Sequence, residues 1–313
     1  MRITLPTVIR LILACSTPAF SVANGQEENL SFKAMLTIQV SLDRQNFSPG
    51  CIDGHSGSQT RYALMAWQES KKLPATGEIG PAEIKRLGTM TNVYTTYIVT
   101  SNDLASLVRI PAGWKEKSRL PRMGYASIKE MAAEKFHTKE SLIESLNPSA
   151  AWPDPPAGTI LKAPNVKLTP EYMQASNIVV NLGRKYVRVY NDKGQVIAHY
   201  PCSIAAKMEK RPVGLLKVIN AGNEPDYTYD PALFANDPAN PGASTKLIIN
   251  PGPNNPVGIA WIGLSLSGYG IHGSPDPEDI GKTESHGCFR LANWNAARLL
   301  KIVRIGMPVR IEK

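Results

Sequence analysis

The sequence contains few cysteines, no clusters of basic residues and no long apolar runs, and each of these absences excludes a class of protein. Its four cysteines in 313 residues are too few and too widely spaced for a disulfide framework. The net charge is +9, but no Lys- or Arg-rich run or nucleic-acid-binding motif accompanies it. An anionic membrane or cell wall is therefore favoured over nucleic acid as a partner. Beyond the N-terminus, no apolar stretch is long enough to span a bilayer.

The spacings that are typical of zinc sites, Cys-x-x-Cys and His-Glu-x-x-His, are also missing. Three side chains able to bind zinc, those of His272, His286 and Cys288, nevertheless lie within one short stretch. The residue types alone thus leave a zinc enzyme open as an alternative. Cys51 and Cys202 are predicted to be buried small hydrophobic residues, with a disulfide between them as the alternative.

Residues 1–23 are predicted to be an export signal. Arg2 and Arg10 flank a short apolar stretch, and small residues at 21–23 form an acceptable cleavage site. In an alternative interpretation, residues 12–15 resemble a lipobox, which would place a lipid on Cys15 and anchor the protein to a membrane. We therefore predict an exported protein of the periplasm or cell wall, with membrane anchoring only if Cys15 is lipidated.

Turn residues and hydrophobic periodicity divide the rest of the chain into three parts, which together predict a multidomain α+β protein. Apolar residues at helical spacing over 34–89 predict a three-helix N-terminal domain. Residues 91–166 predict a strand, two helices and a strand (βααβ), with a long insertion between the first strand and the first helix. Many short strands over 170–313 predict a C-terminal mainly-β domain, a β-sandwich, in which residues 220–245 form a long loop.

The most informative stretch of the last part holds a thiol, two imidazoles and a guanidinium. It begins with His272-Gly273-Ser274 and ends with Ser285-His286-Gly287-Cys288-Phe289-Arg290. A cysteine is a strong nucleophile only as its thiolate, so it needs a nearby base or positive charge. Both histidines could serve as that base.

The residues on either side of the cysteine suit acyl chemistry. Gly287 allows close approach of a substrate carbonyl, and the backbone N–H groups of Gly287 and Cys288 could face a developing oxyanion. Arg290 presents a planar cation that can hold a carboxylate. These residues predict a cysteine-dependent acyl-transfer site.

The two motifs resemble the signature of the L,D-transpeptidases, bacterial cell-wall enzymes with a YkuD-like catalytic domain. The resemblance extends over roughly 177–313 and includes Pro212-x-Gly214, Asn255-Pro256 and Gly306-x-Pro308-Val309. It implies a fold of the same mainly-β kind, peptidoglycan stem peptides as substrate, and no metal or cofactor.

The two preceding parts resemble wall-binding modules. Residues 34–89 are similar to a peptidoglycan-binding domain through Asp53-Gly54, Trp67-Gln68 and Thr76-Gly77, among others. Residues 91–166 resemble a LysM glycan-binding module, ending in Leu146-Asn147-Pro148 and Ala157-Gly158-Thr159, but the insertion departs from the family. The resemblances imply peptidoglycan stem peptides and glycan as partners, and the second part could be a spacer.

The catalytic resemblance also implies roles for individual residues. Cys288 is the nucleophile and His272 the general base, with a backbone carbonyl near His272 as the third member rather than Asp276, Glu278 or Asp279. Gly273, Ser285, His286, Gly287 and Arg290 are implied to bind substrate, stabilise the oxyanion or shape the site. The product is a 3→3 cross-link formed through a thioester.

Two other functions stay open at this point. An L,D-carboxypeptidase, or a hydrolase of wall linkages, would use the same residues with water as the acceptor. A mainly wall-binding protein would need only the first two parts of the chain. The presence of Cys288, His272 and Arg290 together favours an enzyme over that last alternative.

Overall fold

A computed structural model describes residues 24–88, 92–168, 174–233, 245–283 and 287–313. The predicted export signal and Cys15 lie outside these ranges. The first part contains the helices α1 (Asn24–Arg44), α2 (Ser58–Ser70) and α3 (Pro81–Leu87). They pack around Leu42, Phe47 and Trp67, which are at most 4% exposed. Helix α1 begins at Asn24, well before the predicted start of the domain at Ala34.

The second part is built around one short antiparallel ladder. Its elements are β1 (Tyr94–Ile98), α4 (Ser101–Ala105), α5 (Trp114–Lys117), α6 (Ile128–Lys135), α7 (Glu140–Leu146) and β2 (Ile160–Pro164). Strands β1 and β2 pair from Tyr94 opposite Pro164 to Ile98 opposite Ile160. The long insertion contains α4 and α5, which the sequence pattern did not predict.

The third part carries most of the strands and one helix. Its elements are β3 (Asn177–Asn181), β4 (Tyr186–Tyr190), β5 (Val196–Pro201), β6 (Gly214–Asn223), β7 (Tyr227–Tyr229), β8 (Leu247–Ile249), β9 (Ala260–Leu264), β10 (Gly270–His272), β11 (Phe289–Arg290), α8 (Asn293–Leu300) and β12 (Pro308–Glu312). Eight strands form one sheet in the order β11-β10-β9-β6-β12-β3-β4-β5, and β7 and β8 form a separate pair. The eight strands and α8 contribute to a single buried apolar cluster.

The strands of the predicted β-sandwich are joined into one continuous sheet. Strand β6 is the reason, since its first half pairs with β12 and its second half pairs with β9. A register shift between Val218 and Asn220 separates the two halves, and such irregularities let a strand pass from one layer to another. The prediction of a loop over 220–245 is wrong for residues 220–223 and 227–229, which lie in β6 and β7.

The three parts of the chain meet at the buried carboxylate of Asp43. Arg298 of α8 binds it through two contacts, Nη1 to Oδ1 at 3.0 Å and Nη2 to Oδ2 at 2.9 Å. His137, which follows α6, places Nδ1 3.0 Å from Oδ2. Burial opposes ionisation of Asp43, but Arg298 and His137 outweigh burial and hold its pKa below the usual range. The first two parts of the chain are therefore packed against the third. None of the helices in the described ranges combines the length and apolarity needed to cross a bilayer.

Replacing Asp43 with asparagine is expected to destabilise the protein by about 3–5 kcal/mol, because Arg298 would keep a buried charge without its carboxylate. Denaturant unfolding of Asp43→Asn measures the loss. The matched control is Asp192→Asn, at an exposed turn position, with an expected change within about 0.5 kcal/mol. Equal stability of the two variants would show that the Asp43 junction contributes little.

Candidate active site

The register of β10 and β11 brings the predicted residues together. These strands are parallel neighbours, with Ile271 opposite Phe289 and His272 opposite Arg290. Ile271 and Phe289 are at most 1% exposed and belong to the core. Because side chains alternate along a strand, His272 and Arg290 lie on the opposite face. Cys288 stands two residues before Arg290 and therefore lies toward that same face, diagonal to His272.

The imidazole of His272 is fixed in one tautomer. Its Nδ1 lies 2.6 Å from the carbonyl oxygen of Gly273. A carbonyl only accepts, so Nδ1 carries the proton and Nε2 keeps its lone pair. The ring also stacks on Trp261 of β9, with centroids 5.7 Å apart and an angle of 20° between the planes. Gly270 leaves room for this indole, since a Cβ there would lie 2.6 Å from it.

Burial keeps His272 neutral. The side chain is 6% exposed, and burial lowers its pKa to about 4, with the Gly273 carbonyl opposing the shift and Arg290 adding to it. At neutral pH the Nε2 atom of His272 is therefore an unprotonated acceptor. This is the state that a general base requires.

The thiol of Cys288 is half-buried and protonated at neutral pH. Its Sγ donates to the carbonyl of Gly268 at 3.5 Å. Burial raises the pKa of Cys288, and a backbone hydrogen bond with Gly270 works against that shift. No disulfide involves Cys51, Cys202 or Cys288 in the parts of the chain that the structure describes. The resting site thus holds a neutral thiol and a neutral imidazole.

Arg290 is held in place by both its backbone and its side chain. Its backbone pairs with Ser203 through two hydrogen bonds of 2.9 and 3.0 Å, and its Nη2 donates to Oγ1 of Thr283 at 3.0 Å. Burial lowers the pKa of Arg290, while Asp276 and Asp279 raise it. An arginine remains charged under these conditions, so the site keeps a fixed cation two residues from the thiol.

The structure does not describe every residue of the stretch between His272 and Cys288. Ser285 and His286 lie outside the described residues. Glu278 accepts a hydrogen bond from the backbone N–H of Glu140 at 3.2 Å, and Asp276 and Asp279 are exposed. The recorded partner of His272 Nδ1 is a carbonyl oxygen and not one of these carboxylates. Over the ranges the structure covers, no group of three His, Cys, Asp or Glu side chains is placed to hold a metal ion.

Asn293, at the start of α8, supports Gly273 and was not predicted. A Cβ on Gly273 or on Gly258 would collide with Oδ1 of Asn293, so both glycines leave room for this amide. Oδ1 accepts from the N–H of Ile259 at 3.3 Å, and Nδ2 donates to Oε2 of Glu134 at 2.8 Å. Glu134 of the second part therefore contacts Asn293, which packs against Gly273, and the carbonyl of Gly273 orients His272.

Glu134, on α6, is a buried carboxyl at this contact. It accepts from the hydroxyl of Tyr125 and from Nδ2 of Asn293, each at 2.8 Å. Burial raises the pKa of Glu134 to about 7, and the hydrogen bonds from Asn293 and Tyr125 limit the shift. Its ionisation therefore falls in the neutral range.

The raised pKa of Glu134 predicts a loss of stability with rising pH. The folded pKa exceeds the unfolded value of 4.5, so the folded state holds the proton more tightly than the unfolded state. The stabilisation of the fold by protonated Glu134 is full below pH 4.5 and is lost as pH rises through about 7. The contribution is at most about 3 kcal/mol. Glu134→Gln, which cannot ionise, should lose less stability than the parent between pH 5 and 8.5 in urea unfolding. Glu209→Gln, at an exposed position, should keep the parental pH dependence; a parental slope in Glu134→Gln would contradict the assignment.

Two family models match separate parts of the chain. One is described as "L,D-transpeptidase catalytic domain", of the YkuD type, and matches residues 175–311. The other is described as "Putative peptidoglycan binding domain" and matches residues 33–87. The first range contains His272, Cys288 and Arg290, and the second contains α2 and α3.

Curated relatives are similar over parts of the chain. A protein of Bacillus licheniformis named "Putative L,D-transpeptidase YkuD" is 25% identical over 185 residues, which are 59% of this chain and 93% of the relative. The protein of the same name from Bacillus subtilis is 27% identical over 137 residues, 44% of this chain and 66% of the relative. A third, "Putative L,D-transpeptidase YqjB" from Bacillus subtilis, is 38% identical over 77 residues, 23% of this chain and 44% of the relative.

Solved structures show a more distant similarity. An L,D-transpeptidase from Mycobacterium smegmatis is 20% identical, with 52% of this chain and 76% of that chain covered and a TM-score of 0.34. An L,D-transpeptidase from Xylanimonas cellulosilytica is 15% identical, with 88% and 92% covered and a TM-score of 0.37.

Proposed function

We propose that this chain, which carries an L,D-transpeptidase catalytic domain over 175–311 and a peptidoglycan-binding domain over 33–87, joins peptidoglycan stem peptides by 3→3 cross-links through a thioester on Cys288. The observation that carries the proposal is the state of His272. Its Nδ1–H is held by the Gly273 carbonyl, so its neutral Nε2 can take a proton on the face where Cys288 lies. A thiol beside an oriented base is the arrangement that nucleophilic catalysis needs.

In the first half-reaction, Cys288 Sγ attacks the carbonyl that links the third stem residue to a terminal D-residue. His272 Nε2 takes the thiol proton as the S–C bond forms. The N–H groups of Gly287 and Cys288 donate to the resulting oxyanion. His272 then protonates the leaving amine, the C–N bond breaks, and the D-amino acid departs from an acyl-thioester on Cys288.

In the second half-reaction, the side-chain amine of another stem attacks the thioester. His272 takes a proton from this amine, the C–S bond breaks, and the thiolate recovers the proton. The new amide joins the third residues of two stems. Water in place of the amine would give a carboxypeptidase, and the same chemistry on a wall linkage would give a hydrolase.

The remaining site residues are assigned to binding. Arg290 holds a carboxylate of the donor stem, since its backbone is paired with Ser203 and its planar cation donates to Thr283. Gly273 contributes the carbonyl that orients His272. Ser285 and His286 shape the site or contact substrate.

The rest of the chain is assigned to location and targeting. Residues 1–23 direct export to the periplasm or cell wall, where the substrate is. The peptidoglycan-binding domain brings the site to the wall. The second part is a divergent LysM-like module that binds glycan or spaces the other two; its antiparallel β1–β2 pair with α6 and α7 between them supports that relation.

Incubation of the protein and of Cys288→Ala with a disaccharide-tetrapeptide, followed by mass spectrometry of the products, tests the function. We expect release of the terminal D-residue and a 3→3 dimer from the parent, and neither from the variant. Release without a dimer would indicate a carboxypeptidase. No change, with no adduct on Cys288, would favour a wall-binding protein.

A further inference from the structure

A cavity separate from Cys288 is lined by residues from all three parts of the chain, and we call it the junction cavity. It has a volume of about 380 Å³, within the usual range for ligand sites. One wall is the start of α2, another comes from β4 and β5, and Lys139 of the second part contributes as well. Residues 277–282 form a further wall, and they belong to the segment that joins His272 to Cys288.

His199 of β5 lines this cavity with an unused donor. Its side chain is 0% exposed, and its Nδ1 accepts from Nε of Arg188 at 3.4 Å. Burial, with Arg188 adding to it, lowers the pKa of His199 well below its usual value, so the ring is neutral and carries its proton on Nε2. That N–H has no acceptor among the described residues. Because buried donors are nearly always satisfied, an acceptor from outside the described residues is expected here.

The N-terminus of α2 faces the same cavity. Gly57, at the N-cap, has no side chain to accept the first N–H groups of the helix, and the first turn contains no acidic residue. Gly57 and Ser58 are exposed and line the cavity. The N–H groups and the dipole of a 13-residue helix favour an anion at this position.

The charged side chains of the cavity favour an anion as well. The lining contains Lys139, Arg184, Lys185 and Lys282 but only two carboxylates. Both carboxylates are engaged, since Asp53 binds Lys139 at 2.6 Å and Glu278 accepts from the Glu140 N–H. The cavity thus combines an uncapped helix, a buried donor and an excess of cations.

We propose that the junction cavity binds a carboxylate group of a peptidoglycan stem peptide at a site separate from Cys288. The helix N-terminus and His199 Nε2 donate to the ligand, and Arg184 supplies charge at the rim. The identity of the ligand rests on the proposed function, whereas the anion-binding character rests on the cavity alone. A ligand in the junction cavity would also contact residues 277–282. Binding would therefore restrain the segment that joins His272 to Cys288.

Binding of a disaccharide-tetrapeptide to the Cys288→Ala protein, measured by calorimetry, tests the site without turnover. Adding Ser58→Asp places a carboxylate at the first turn of α2, which suits the helix but repels an anion. We expect it to weaken binding by about tenfold while the melting temperature is unchanged. Arg184→Ala should weaken binding similarly, and the matched control Arg310→Ala, exposed on β12, should leave it unchanged.

Hydrogen exchange locates the binding event. The ligand should protect residues 57–62 in the Cys288→Ala protein, and a ligand with its carboxylates converted to amides should not. Unchanged affinity in Ser58→Asp and Arg184→Ala, or equal binding of the amidated ligand, would overturn the proposal. Failure of the proposed function would look different, because Cys288 of the parent would then acquire no acyl group while protection of residues 57–62 persisted.

Discussion

Replacing Cys288 with alanine is expected to lower the rate of D-residue release by at least about a thousandfold, since the proposed thioester forms on the sulfur of Cys288. Cys288 is only half-buried, so the variant should keep the melting temperature of the parent. The rate is read by mass spectrometry of the released amino acid at saturating disaccharide-tetrapeptide.

Cys202→Ala is the matched control, because it removes a thiol that has no proposed role in the reaction. Cys202 is 0% exposed and lies in the core of the catalytic part, so the substitution should reduce stability by about 1 kcal/mol and keep the rate. Substantial activity in Cys288→Ala would assign the chemistry to another group.

Replacing His272 with glutamine is expected to lower the rate about 10²- to 10⁴-fold, which is the usual contribution of a general base.

The parent enzyme should also show a simple pH dependence. The pKa of His272 is lowered to about 4, so the proposed base is neutral above that value and becomes protonated as pH falls through it. Activity should therefore be nearly constant from pH 6 to 8.

The pH dependence of Cys288 alkylation by iodoacetamide distinguishes a neutral thiol–imidazole pair from a thiolate–imidazolium ion pair. Burial raises the pKa of Cys288 and lowers that of His272, so the resting thiol is protonated and its alkylation should accelerate steadily into the alkaline range. A plateau of fast alkylation between pH 5 and 7, lost in His272→Gln, would instead show a thiolate–imidazolium pair and contradict the account.

The residue types of the site could be predicted because they lie close together in the sequence. His272 ends one strand and Cys288 precedes another, and the glycines between them mark turns, so a motif of this kind is readable without a structure. The register that places His272 opposite Arg290 was not readable, since it depends on how two very short strands pair.

The supporting residues of the site were missed for a different reason. Asn293 and Glu134 are 159 residues apart, and nothing in the local pattern of either residue indicates the other. Trp261 covers His272 only because β9 and β10 are neighbours. Contacts of this kind depend on tertiary packing, which periodicity does not encode.

The fold was predictable where local signals agreed. Alternating apolar residues identified most strands of the catalytic part. The segments at α5 and β7 were missed because they are short and depend on each other: Trp114 stacks on Tyr229 with ring centroids 4.2 Å apart. The capping box of Thr100 and Asp103 that starts α4 is a signal that could have been found.

The most direct test of the account is the mass of the protein during turnover. The parent, mixed with disaccharide-tetrapeptide and quenched in acid, is predicted to gain one acyl group equal to the substrate minus its terminal D-residue. Proteolysis should place that group on the peptide containing Cys288, and Cys288→Ala should gain nothing. Release of the D-residue from a parent that never carries an acyl group on Cys288 would contradict the thioester mechanism.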